Sequence, residues 1–209
     1  MALDFDGTND KVVVPDNTDF DFTAFTVEAW VFSNSTQTSY ANIIDKSHDS
    51  ISGWAFEYTL DGTQIYFTLG ANSVVASTNI NDGKWHHIAG VYDGTTSYIY
   101  IDGNLEASAD YAFNNSSGEL YFGTWKDTGT RWFNGKIKNV RIWNKALTSE
   151  EVEISMKRKK LSGTEDGLVA YYKFNEGSGT VLHDYAGSNN GTIYSATWTD
   201  GRPNGILQF

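Results

Sequence analysis

Apolar and polar residues alternate through most of the chain. In Phe25–Phe32, Val27, Ala29 and Val31 fall on one face and Thr26, Glu28 and Trp30 on the other, the period-2 pattern of a half-buried strand. Trp54–Leu60 and Gln64–Leu69 flank Asp61-Gly62 and predict a hairpin. Trp85–Tyr92, Ser97–Ile101 and Leu105–Ala107 predict three more strands, separated by Asp93-Gly94 and Asp102-Gly103. Asp-Gly occurs seven times, with the aspartates at 6, 61, 82, 93, 102, 166 and 200. Glycine admits positive φ and aspartate can close an Asx-turn, so each pair marks a reversal of the chain. Short strands punctuated in this way predict an all-β sandwich or barrel.

One helix interrupts the pattern. Thr148-Ser149-Glu150-Glu151 fits a capping box, and Lys157-Arg158-Lys159-Lys160 supplies cations at the opposite end, predicting a helix over about 149–160. The basic run reads first as a solvated helix end and second as a docking patch. Leu168–Phe174 predicts a further strand. Gly205–Phe209 repeats the shape of Met1–Phe5, which places the last strand beside the first or begins another repeat; the first reading is preferred, since sandwich termini often lie close together.

Composition narrows the function. The chain has 209 residues, 15 basic against 26 acidic, and a net charge of −11, which argues against nucleic acid or an anionic membrane surface as a partner. Without Cys there is neither a disulfide framework nor a thiolate metal site. No apolar run reaches the ~18 residues of a spanning helix, so no membrane insertion is expected. The first residues carry no signal segment, so any export signal has been removed or was never present. The 31 aromatics (7 Trp, 12 Tyr, 12 Phe) remain to be explained.

Five segments in order resemble one family. Ala2–Val12 with its Phe5-Asp6-Gly7, Phe25–Val31, Trp85–Ala89 with Tyr92-Asp93-Gly94, Tyr100–Gly103, and Gly135–Asn144 followed by Ala146-Leu147-Thr148 are similar to the motifs of laminin-G-like, concanavalin A-like jelly rolls. Gly167–Gly179 and Asp184–Thr192 resemble a tail segment of the same family. The resemblance implies a two-sheet antiparallel β-sandwich, read here as a single domain over 1–209. Its core spans 1–146 and C-terminal strands over 167–209 complete it. It also implies a carbohydrate-binding module of a secreted or cell-surface bacterial protein, with neighbouring domains in a longer chain. The alternative is a protein-interaction or spacer domain of an adhesin.

Candidate chemistry follows from residue types. The family's retaining glucanases need paired carboxylates ~5–5.5 Å apart, and their E-x-D-x-x-E strand pattern is absent here, so no catalysis is expected. Calcium takes six to eight oxygens, and Asp6, Asp10 and Asp184 lie in oxygen-rich segments that would hold a structural calcium, against the plainer reading of Asx-turns. The family usually has Asp where Lys138 stands, and the lysine would take the cationic role itself, facing Asp6. Glu28 and Arg141 are expected to pair structurally. Trp30, Trp85 and Trp143 are expected in the core. Sugars present flat C–H faces to aromatic rings and hydroxyls to polar groups. Tyr40, Trp54, Trp125, Asp127, Arg131 and Trp132 are therefore the expected ligand-binding residues, and the acidic charge favours a neutral polysaccharide or glycan.

Overall fold

The structure is a computed structural model and describes residues 1–202 apart from His48, Ser50, Asp127, Thr128 and Lys159. In chain order the strands are β1 (Ala2–Asp6), β2 (Lys11–Val14), β3 (Phe25–Phe32), β4 (Asn42–Asp45), β5 (Trp54–Tyr58), β6 (Ile65–Leu69), β7 (Asn72–Val75) and β8 (Trp85–Tyr92). β9 (Thr96–Ile101), β10 (Asn104–Asp110), β11 (Leu120–Phe122) and β12 (Asn134–Trp143) follow. The helix α1 (Ser149–Lys157) precedes β13 (Leu168–Tyr172), β14 (Val181–Leu182), β15 (Gly191–Tyr194) and β16 (Thr197–Thr199).

These strands form two eight-stranded antiparallel sheets. The first runs β10-β9-β8-β3-β12-β1-β16, with β13 also on β12, and the second runs β14-β15-β2-β11-β4-β5-β6-β7. Alternation in the sequence becomes the two faces of each sheet. Val27, Ala29 and Val31 of β3 face Phe56, Phe67 and Leu69 of the other sheet within one core, while Glu28 and Trp30 point away from it. The C-terminal strands join both sheets: β16 pairs with β1 and β15 with β2. The Gly205–Phe209 echo lies outside the described residues.

All seven Asp-Gly glycines have positive φ, from 69° at Gly62 to 103° at Gly94. In five of the seven the aspartate accepts the N–H two residues on: Asp6, Asp61, Asp82, Asp93 and Asp200. Asp102 departs from this use. Its carboxylate instead accepts the His87 N–H at 2.8 Å and meets the His86 ring at 2.7 Å, tying the turn to β8.

The helix forms where its capping box predicts: Glu151 N–H donates to Thr148 Oγ1 at 3.2 Å and Thr148 N–H to Glu151 Oε2 at 2.9 Å. It ends at Lys157, three residues before the expected end, because Arg141 of β12 takes over its terminal carbonyls. The guanidinium donates from Nη1 to Ser155 O and from Nη2 to Arg158 O, both at 2.6 Å. Beneath the helix lies a buried polar network. Glu28 Oε1 accepts Trp143 Nε1 at 2.9 Å and the Ser155 hydroxyl at 2.5 Å, Oε2 meets His87 Nε2 at 2.9 Å, and Arg141 Nη1 lies 3.5 Å away. The expected Glu28–Arg141 pairing is thus present, with three further partners, Trp143, Ser155 and His87, and a helix closing over it.

Trp143 is buried as expected, but Trp30 and Trp85 are only half-buried and lie on the outer face of the first sheet. Lys138 Nζ stands 3.7 Å from the Trp85 ring centroid and 5.9 Å from that of Trp30, not against Asp6. A bulge in β12 between Lys138 and Arg141 explains this, since the extra residue sends both side chains to the outer face.

Candidate binding pocket on the second sheet

The outer face of the second sheet carries a row of neighbouring positions on four strands: Asp45, Ala55, Thr68 and Ser73 pair successively across β4, β5, β6 and β7. Trp54, Phe56 and Tyr58 point into the core, so the intervening Ala55 and Glu57 must point out. The small Ala55 between Asp45 and Thr68 leaves a depression, and Tyr40, Trp125 and Arg131 wall it. The resulting pocket is about 250 Å³.

Its walls are aromatic and cationic, its floor polar. The Arg131 guanidinium lies 4.3 Å from the Trp125 ring centroid and 5.0 Å from that of Tyr40. Arg131 Nη1 reaches Glu57 Oε2 at 3.3 Å, while Thr68 donates to Glu57 Oε1 at 2.9 Å. Trp125 Nε1 donates to Ser47 Oγ at 3.1 Å, and that hydroxyl donates onward to Asp45 Oδ1 at 2.8 Å. Gly53, with φ +79°, lets the chain turn where a Cβ would stand 2.1 Å from Lys46 O.

Two carboxyls in this pocket have raised pKa values. Burial pushes Asp45 up to about 7, against the Ser47 hydrogen bonds that favour its charged form and with the repulsion of Glu57 adding to the rise. Burial also raises Glu57, opposed by Thr68 and Arg131. The buried indole N–H of Trp54 has no hydrogen-bond partner among the described residues. Tyr40, Arg131 and Lys126 all have φ between 51° and 62°, three of the seven described non-glycine residues in that region. Left-handed backbone costs such side chains on the order of 1–2 kcal/mol each and persists where surrounding structure enforces it.

Of the expected ligand-binding residues, the fold brings Tyr40, Trp54, Trp125 and Arg131 together here. Trp54 belongs mainly to the core, 5.8 Å from Phe25 and 1% exposed, and only lines the pocket wall. Trp132 is half-buried outside the pocket, its carbonyl accepting the Thr38 hydroxyl. Asp127 lies outside the described residues. Sequence reading missed Asp45, Glu57, Thr68 and Ser73. Outward alternation on β5 and β6 was the available signal for Glu57 and Thr68, whereas Asn42–Asp45 shows no alternation.

The carboxylates expected to hold calcium each accept backbone N–H groups. Asp10 accepts the Asp6 N–H at 2.8 Å and Asp6 accepts Thr8 N–H at 2.8 Å. Asp184 is spent on backbone elsewhere, accepting N–H groups of Tyr171, Ala186 and Asn189 at 2.9–3.1 Å. Among the described residues no group of three or more His, Asp or Glu side chains is arranged to hold a metal ion.

The sequence profile of the concanavalin A-like lectin/glucanases superfamily matches residues 6–153. The chain belongs to that family. Among solved structures, it is similar to a protein of Bacteroides ovatus proposed to bind carbohydrate, with TM-score 0.78 and 22% identity over 94% of this chain and 58% of that one. Domain 4 of AbnA, a GH43 extracellular arabinanase from Geobacillus stearothermophilus solved with arabinotriose, matches with TM-score 0.57 and 20% identity over 75% of this chain and 76% of that one. A curated relative, the rat sushi, von Willebrand factor type A, EGF and pentraxin domain-containing protein 1, is 26% identical over 52% of this chain. The chain spans about 4% of that relative's length. At these identities the solved structures speak for the shared fold. No helix among the described residues is long and apolar enough to cross a membrane.

Proposed function

We propose that this domain binds a neutral polysaccharide non-catalytically, one sugar unit entering the pocket on the second sheet. The observation that carries this reading is the convergence of Tyr40, Trp125 and Arg131 with the polar row from Asp45 to Ser73. Paired hydrogen-bonding groups between aromatic walls suit a ring that has hydroxyl edges and C–H faces. Glu57 and Thr68, already joined by a hydrogen bond, would fix hydroxyls of the ring. Rings already covered by Arg131 and Lys126 act as rigid walls more than as open stacking platforms. The carbohydrate named for two structural neighbours supports the same class of ligand, and the reading includes a secreted or cell-surface setting.

The test is affinity electrophoresis on neutral polysaccharides, arabinan included. Retardation of the wild type, lost in Glu57→Gln and in Arg131→Ala, is expected. Migration of the wild type unretarded on every neutral polymer would overturn the reading and favour a protein-interaction or spacer role. Release of reducing sugar would instead indicate an enzyme.

A further inference from the structure

On the opposite outer face of the molecule, a cleft of about 340 Å³ is lined by Lys138, Lys160 and Lys173 with Asn139, Tyr171 and Asn175. Three separate chain segments meet there: the β12 bulge, the run after α1, and the loop leaving β13. The overall charge is −11, so three converging cations run against the composition of the surface.

None of the three lysines has a carboxylate within ion-pairing distance among the described residues. Other cations of this chain do: Lys46 meets Asp16 at 2.8 Å, Lys84 meets Asp82 at 2.7 Å, and Lys145 meets Glu151 at 3.3 Å. Glu176, beside Asn175, accepts the backbone N–H groups of Asn175 and His183 and forms no ion pair with the three lysines. Aromatic rings hold two of the ammonium groups in place. Lys173 Nζ is 3.7 Å from the Tyr185 ring centroid and 5.3 Å from that of Tyr171, and Lys138 is backed by Trp85. Partial burial lowers the Lys138 pKa with no acid opposing it, which leaves its charge without local compensation.

Asn139 belongs to the same bulge. It sits at φ +50° in the bulge that turns Lys138 outward, a left-handed non-glycine residue within the cleft itself. The carboxamides of Asn139 and Asn175 supply donors beside the ammonium groups.

We infer that this cleft is a second binding site, taking the carboxylate or sulfate groups of an acidic saccharide, on the face opposite the neutral-sugar pocket. Ammonium groups and amide donors match anionic oxygens, and Tyr171 gives a wall against the ring that bears them. The inference does not depend on the pocket of the second sheet.

The test titrates the full chain with dextran sulfate, with polygalacturonate and with unmodified dextran at low and moderate salt. Binding of one or both acidic polymers, falling with salt, is expected; the two arms tell sulfate from carboxylate. The double variant Lys160→Glu/Lys173→Glu changes only side chains outside the core and should weaken binding at least tenfold. Arg131→Ala should bind acidic polymers as the wild type does, while losing any neutral polymer. Lack of binding to both acidic polymers, or equal binding by wild type and a double variant with unchanged circular dichroism, would overturn the inference.

Discussion

Asp45 is a titratable group shielded from water, 1% exposed, in a pocket otherwise built to meet solvent. Its folded pKa of about 7 lies above the ordinary 3.8, so between those values the folded state holds a proton that the unfolded state releases. Stability therefore falls as pH rises from about 4 to 7 and levels off above. A three-unit difference corresponds to about 4 kcal/mol at most. Asp45→Asn should remove this limb. In urea titrations the variant should gain on the wild type by a few kcal/mol at pH 8 and differ little at pH 4. Glu28 has the opposite sign. Despite burial, His87 and Arg141 hold its pKa below the ordinary value, so its contribution is present above the usual carboxylate range and lost as pH falls through the lowered value. Arg141→Met leaves that carboxylate short of a partner and uncaps the helix end. A loss of roughly 3–5 kcal/mol is expected from denaturant unfolding.

Elements with strict alternation were legible in the sequence: β3 and β8 occupy the predicted residues, and the β5–β6 hairpin forms around Asp61-Gly62. The helix start was legible for a different reason, since a capping box is a local arrangement of four residues. Thr148→Ala should cost about 1 kcal/mol and speed amide exchange in the first turn of α1. The helix end was not legible, because a strand residue 17 positions before the C-cap, Arg141, supplies the terminating contacts. β4 was equally hidden. Its four residues, Asn42 to Asp45, are all buried, the apolar pair by the core and the polar pair by neighbouring loops and strands. Such a strand has no period to read, yet it carries Asp45 into the pocket. The aromatic candidates were legible as a group, and loop closure decided which converged: Arg131 O accepts Asn42 N–H at 2.9 Å, drawing residue 131 to β4 and leaving Trp132 outside.

For the molecule as a whole, the sandwich was legible but the division of strands between sheets was not, because it depends on pairings between distant residues. β2 lies between β11 and β15, more than 100 residues away in each case. The C-terminal strands pair into both sheets, so they are expected to unfold with the rest. Tyr172, Phe174, Leu182 and Ile193 enter the main core, and at about 2 kcal/mol each they contribute on the order of 8 kcal/mol, comparable with the whole stability of a domain. Truncation after Asp166 should therefore abolish cooperative unfolding, read by circular dichroism, and not yield a stable shorter sandwich.

The backs of the two sheets point in opposite directions, and each carries a recess of its own. A single saccharide unit cannot touch both, because the core separates them by a sheet-to-sheet spacing of ~10 Å. Two occupied recesses would make each monomer a divalent bridge between separate polymer strands. A mixture of neutral and acidic polysaccharides would then stiffen or turn cloudy at stoichiometric protein and clear again at excess, and a variant lacking either recess would bind without joining strands.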